Sequence, residues 1–499
     1  MRWPLDYALA SALTLASFLL LFIRYWFPPG KIFDEVYFAR AAEEYLTRQY
    51  IYESTHPPLT KLLITFSTFL FGGMHGGDNS YGWRFLDVVA GALMVLVLYA
   101  LAKRITGSTL FSAYAAALLS LDGMHFVQSR IATPESFVGL FSLATAYTFY
   151  RYWTASSESV APAPDERTLN ARYIALGGAL ALGAAFAFLR FQAEIPIAKL
   201  LVTLWSAAGL YLAYRIYAGS RRFSAQYLWL VLFALSISAL VTSKWYGVTS
   251  FGVGITIVAV SMLRPATRGV FKLDTLVATI AFVLGAVYAG SYAPQFIGLS
   301  DTPGAAPRAY TLSEIVSSQY GMYQYHATLK ATHPYASRWW QWPLDLRPVL
   351  YYADYGHGPK GSLTTATMIY SLPNPILLWI GLFCVAYVGF LAYKERDKGY
   401  TLLILTYLMQ WLPWARSPRI AWSYHFYVDI PITCLCFAIT MQRLLLRTEN
   451  TDRVWAGRAI AGSAFAAVLA SFIYFYPELA GLRIPYDSWH SRLWLDSWI

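Results

Sequence analysis

Two adjacent carboxylates, Asp34 and Glu35, follow the first long apolar run of this 499-residue chain. An ionised group at the mouth of a membrane bundle is costly unless hydrated or paired. The pair therefore reads in one of two ways: as helix N-terminal charge, worth about 0.3 to 1 kcal/mol against the helix dipole, or as acid–base machinery. Consecutive helical residues point about 100° apart, so the two do not form a close proton-sharing pair; one can serve as a base while the other orients an acceptor. Cations recur at similar places: Arg84 in Gly82-Trp83-Arg84, Arg130 in Gln128-Ser129-Arg130 followed by Glu135, and Lys244 in Ser243-Lys244-Trp245. Each reads as a snorkelling anchor or as a partner for a phosphate or carboxylate. Lys244 lies between two apolar runs with almost no loop, and an anionic lipid headgroup suits a lysine at that depth. His56 stands in Thr55-His56-Pro57-Pro58, which ends one helix and begins another because proline is tolerated in the first turn but not the interior. The run from His333 to Pro343 gathers His333, Tyr335, Trp339 and Trp340; such rings form an interfacial belt, and they also suit a sugar or a peptide. Arg416, Pro418, Arg419, Tyr424 and His425 surround the entrance of a late apolar run, where His425 alone reads as a structural histidine.

The elements that must position these residues are membrane spans. Only 13% of residues are charged and 57% are hydrophobic, whereas a soluble domain carries about 25% charged residues. An all-α polytopic architecture follows, with apolar runs of roughly 20 residues. About thirteen such runs are visible, with cores near 7–27, 83–102, 109–125, 131–153, 173–190, 195–217, 226–243, 247–263, 273–292, 371–393, 400–415, 421–443 and 459–476. The net charge of +11 does not point to nucleic acid, because Lys and Arg gather between alternate spans, as at Lys103-Arg104, Arg215 with Arg221 and Arg222, and Lys394 to Lys398. That bias places those loops and the N-terminus in the cytoplasm, and an odd number of spans puts the tail from Pro477 outside. The three cysteines fall in apolar runs without metal-site spacing and read as core residues. The whole chain, 1–499, reads as a single transmembrane domain with two longer outer segments, 28–81 and 294–370. Both are rich in Tyr, Trp, His and Pro and are expected to fold against the membrane surface. In the first, Leu59 to Phe71 is too short to span and, with an amphipathic helix over Phe33 to Tyr50, is expected to lie in the interface. The inner segment Thr154 to Asn170 reads as a linker.

No glycine-rich phosphate loop, dinucleotide fingerprint, HExxH or paired CxxC is present, so a soluble nucleotide-sugar domain is absent and a donor must come from within the membrane. Taken in order, the segments Phe33 to Phe38, Thr55 to Lys61, Gly82-Trp83-Arg84, Gln128-Ser129-Arg130, Ser243-Lys244-Trp245, His333 to Pro343, Ser417-Pro418-Arg419 and Tyr424-His425 resemble the protein O-mannosyltransferase family, in its bacterial and archaeal form, within the lipid-linked glycosyltransferases called GT-C. The resemblance implies a GT-C bundle of about 11 to 13 transmembrane helices. It implies a dolichyl or polyprenyl phosphate mannose donor and Ser or Thr acceptors in exported proteins, acting at the outer face of the plasma membrane. It implies Asp34 as base with Glu35 beside it, and Arg84, Arg130, Lys244 and Arg419 near the carrier phosphate. His56, His333, Tyr335, Trp339, Trp340 and His425 are then expected at substrate, with no metal and no cofactor, since a lipid monophosphate leaves without a diphosphate to neutralise. The segment 294–370 is too short for the MIR sugar-binding module of eukaryotic members. A GT-C enzyme with another lipid-linked sugar or a lipid or envelope-glycan acceptor is the nearest alternative. A transporter or flippase is a remote one, because the marked residues sit at outer ends of spans and not at the midplane.

Overall fold

A computed structural model describes residues 3–72, 79–155, 175, 177–186, 189–190, 193–219, 225–263, 271–449 and 451–498. Among them, nine helices are long and apolar enough to cross a membrane, and they coincide with nine of the expected spans. Three further expected spans are helices outside that set: Thr109–Ser120 and Lys398–Trp411 are shorter, and Glu135–Ala155 is more polar. The expected span at 173–190 and the linker at 154–170 lie partly outside the described residues. The helices divide between two compact units, one built from 1–46, 63–143 and 328–499, the other from 47–62 and 144–327.

In the first unit, α1 (Trp3–Phe22) leads through a turn to α2 (Glu35–Leu46), shorter at both ends than the expected 33–50. The apolar stretch of the first outer segment forms α3 (Leu59–Gly72), 14 residues long. Then α4 (Ser80–Thr106) opens on Asn79, whose side chain accepts from Gly82 N, and closes on Gly107 at φ +68° with Lys103 and Arg104 in its last turn. Such caps satisfy the orphan groups at each end and complement the helix dipole. Next come α5 (Thr109–Ser120) and the short α6 (Gly123–Gln128), which Asp122 caps by accepting from His125 N at 2.7 Å. Asp122 also accepts from Asn374 N, and the Asn374 amide donates to Leu121 O and Val468 O, so one buried polar cluster ties three stretches of chain together. Gly123 lies so close to the Leu372 carbonyl that a Cβ there would collide with it.

The second outer segment contains structure that the helical expectation did not include. Strands β1 (Val349–His357) and β2 (Leu363–Ser371) pair antiparallel, and β3 (Arg483–Pro485), beyond the last long helix, joins β2 on its other side. A bulge interrupts the ladder: Leu350 faces Tyr370 and Tyr352 faces Ile369, leaving Tyr351 as the extra residue. The sheet packs into an apolar core with Leu21, Tyr25, Phe126, Phe472, Phe475 and Trp498.

The helix α7 (Glu135–Ala155) begins in the first unit and ends in the second, which also contains helices Pro196–Gly219, Ala225–Ser243, Val248–Leu263 and Leu273–Ser291, followed by Leu312–Thr328. Tyr292, Ile315 and Met322 form a small core there with Trp245 and Tyr288 against it.

Candidate active site

The two neighbouring acids have different environments, as their angular separation on a helix requires. Glu35 is fully buried and clamps Arg84: Nε donates to Oε1 at 2.6 Å and Nη2 to Oε2 at 2.7 Å. The carboxylate also accepts from Ile32 N at 3.0 Å and from Ala132 N at 2.9 Å. The other Arg84 donors reach Tyr25 O, Pro28 O and Gly30 O. A guanidinium has five N–H donors, and all five are used. This corrects the expectation for Arg84: its fork fastens the turn before α2 to α4, and it has no donor left for a phosphate. Glu35 is likewise a positioning residue, since both its oxygens are occupied within the fold.

Asp34 is half-buried and caps α2, its carbonyl accepting from Tyr37 N at 2.9 Å and Phe38 N at 3.1 Å. Phe33, immediately before it, has φ +47°, a left-handed conformation that costs a bulky residue about 1 to 3 kcal/mol. Its ring is held by stacking on Tyr351 at 4.2 Å and by an edge contact with Tyr424 at 5.7 Å. The bulge in β1 thus delivers Tyr351 against the residue that precedes the candidate base. The buried Tyr351 hydroxyl accepts from Gln128 Nε2 at 2.8 Å. Burial, reinforced by the charges of Glu135 and Asp34, pushes this phenol well above its ordinary range, which keeps it protonated. Arg419 is close enough to act electrostatically on the Tyr424 phenol. The first unit therefore gathers Asp34, Glu135, Tyr351, Tyr424 and Arg419 about one turn.

Arg130 is placed differently from Arg419. It is buried, donates from Nη2 to Ile23 O at 2.8 Å and lies over the Phe126 ring at 4.3 Å, while its Nε has no hydrogen-bond partner among the described residues. Burial lowers its pKa to about 9. The aromatic run of the second outer segment packs against residues 411–425. Trp422 Nε1 donates to His333 Nδ1 at 3.3 Å, Tyr335 lies beside His333 and under Arg347, and Trp339 O accepts from Trp411 Nε1. His425 is buried between Trp414, Tyr424 and Trp342, its Nδ1 turned to the Trp422 backbone. Trp340 is 43% exposed, more than Trp339 and Trp342 of the same run.

In the second unit, His56 belongs to a compact polar knot. Its Nδ1 lies 2.9 Å from Glu53 Oε1, and Lys61 Nζ donates to Glu53 Oε2 at 2.7 Å and to the Glu53 and His56 carbonyls. His326 Nε2 reaches Thr55 O at 2.9 Å. Burial works to raise the Glu53 carboxyl, but Lys61 and then His56 override it and hold it well below the usual carboxylate range. Burial pushes His56 down, against the pull of Glu53, and Lys244 adds to the lowering. With the imidazole neutral, Nδ1 carries the proton directed at the carboxylate, because a carboxylate only accepts. Lys244 itself begins a 3-10 turn, Trp245–Gly247, at the end of helix Ala225–Ser243.

Sequence reasoning missed two of these residues. Glu53 had a signal, three residues before His56 and eight before Lys61. Tyr351 had none, because its position depends on strand register.

Residues 11–188 match the family model described as dolichyl-phosphate-mannose-protein mannosyltransferase, and residues 311–498 match that of the C-terminal four-transmembrane region of protein-O-mannosyltransferase. The polyprenol-phosphate-mannose–protein mannosyltransferase of Mycolicibacterium smegmatis is 26% identical, the match covering 99% of this chain and 94% of that protein. Its Mycobacterium tuberculosis counterpart is 24% identical over 94% of this chain and 86% of its own length. Among solved structures, the Saccharomyces cerevisiae protein O-mannosyltransferase Pmt1-Pmt2 complex bound to the sugar donor superposes with a TM-score of 0.70 at 13% identity, covering all of this chain and 93% of that one, which establishes a shared fold. From the pairing of both family models with this multi-pass helical architecture, the chain belongs to the protein O-mannosyltransferase family of GT-C membrane glycosyltransferases.

Proposed function

We propose that this enzyme transfers mannose from a polyprenyl or dolichyl phosphate carrier to Ser or Thr hydroxyls of exported proteins, at the extracytoplasmic face of the membrane. Asp34 is the base. The acceptor hydroxyl attacks the anomeric carbon, its proton passes to the Asp34 carboxylate, and the lipid phosphate leaves with the bonding electrons from the opposite face, inverting the centre. Arg419 and Arg130 stabilise the negative charge that develops on the leaving phosphate. His333, Tyr335, Trp339, Trp340 and His425 contribute to substrate binding directly or by shaping the surrounding surface.

The observation that carries this reading is the fixed turn at Asp34. The Glu35–Arg84 clamp and the Phe33–Tyr351 stack hold a half-buried carboxylate at a helix N-terminus, and such preorganisation is what a base needs. D34N keeps the shape and removes the base. In membranes supplied with labelled polyprenyl phosphate mannose and a Thr-containing peptide, it lowers transfer by roughly 100-fold or more; transfer near the wild-type rate removes Asp34 from that role.

A further inference from the structure

β1 is an edge strand. Its only partner in the sheet is β2, and among the described residues no backbone hydrogen bond covers its outer side. A row of unpaired N–H and C=O groups is a template for another extended chain. The edge is not an arbitrary one: it begins at the Tyr351 bulge, whose ring stacks on the residue preceding Asp34, and runs outward through exposed Ala353 and Tyr355. An extended backbone presents its side chains singly on either side, and a strand paired to this edge would begin beside Tyr351, whose phenol feels the charge of Asp34.

We propose that the outer edge of β1, from Tyr351 to Tyr355, binds the acceptor polypeptide as an added β-strand. Main-chain pairing places no demand on the acceptor's side chains, because such bonds do not read them. The inference rests on the proposed protein-mannosylating function and deepens it by naming how the acceptor is held.

The test uses the full-length enzyme in detergent with its donor. The three native cysteines are buried, so A353C introduces an accessible thiol on the edge. A Thr-containing peptide with an activated terminal cysteine should form a disulfide with A353C, and excess cysteine-free peptide should block it. With the wild-type enzyme, peptides carrying a single backbone N-methyl group at successive positions should lose apparent affinity roughly tenfold at alternate positions, one hydrogen bond at a time, with the donor KM unchanged. The proposal is overturned if mannosylated peptides neither cross-link nor show the two-residue alternation. It is also overturned if A353C couples to a second copy of the chain and that coupling leaves peptide mannosylation intact. If no peptide receives mannose while a lipid acceptor does, the functional reading fails, and competed cross-linking still reports separately on peptide binding at the edge.

Discussion

At the scale of single residues, adjacency in sequence conceals a division of labour. Glu35 spends both oxygens on Arg84 and two backbone amides, whereas Asp34 stands at the helix start among Tyr351, Tyr424 and Glu135. Removing one member of a buried ion pair leaves the other charge uncompensated, at about 3 to 5 kcal/mol. R84M and E35A should therefore each lower the thermal unfolding temperature in detergent, and the double variant should unfold no more easily than either single one. If Arg84 were a phosphate ligand, R84M would instead raise the donor KM at an unchanged melting temperature. That outcome would return Arg84 to the donor site.

At the scale of elements, the segment before α3 is a small electrostatic device. Glu53 and His56 both have pKa values below their ordinary ones. A group whose folded pKa is lowered is more protonated in the unfolded chain, so stability rises with pH across the interval between the two values. The His56 contribution is present above its ordinary value of 6.5 and is lost as pH falls below it; the Glu53 contribution is lost only below 4.5. The wild-type melting temperature should thus fall between about pH 7.5 and pH 5.5, and H56N should flatten the profile over that range. A wild-type profile already flat there would show that His56 titrates normally. The sheet poses a different kind of problem. Its hairpin residues alternate only loosely, and its third strand comes from beyond the last long helix, more than a hundred residues later than the hairpin's start.

At the scale of the whole molecule, the placement of charge between spans addresses sidedness. In the proposed orientation, the positive-inside bias puts Lys394, Arg396 and Lys398 in inner loops and the β1 hairpin on the outer face. With the native cysteines buried, K394C and A353C each give one exposed thiol. A membrane-impermeant maleimide applied to intact cells should label A353C and spare K394C until the cells are opened. The reverse pattern would place the candidate base in the cytosol and end the proposed reaction.

The sequence by itself determined the membrane architecture, because a hydrocarbon layer demands apolar runs of fixed length and those runs are local. It determined the helices around Asp34 and Leu59 through prolines, caps and short apolar stretches, which act within a few residues. It also carried the family, through short motifs kept in order along the chain. What only the tertiary structure decided are the pairings between distant segments: that Arg84 faces Glu35 and not solvent or lipid, that Glu53 and Lys61 enclose His56, and that Tyr351 bulges onto Phe33. A buried cation and a phosphate-binding cation have the same side chain and the same flanking residues. The difference between them lies in which carboxylate or carbonyl the fold brings within 3 Å, and no local spacing encodes that.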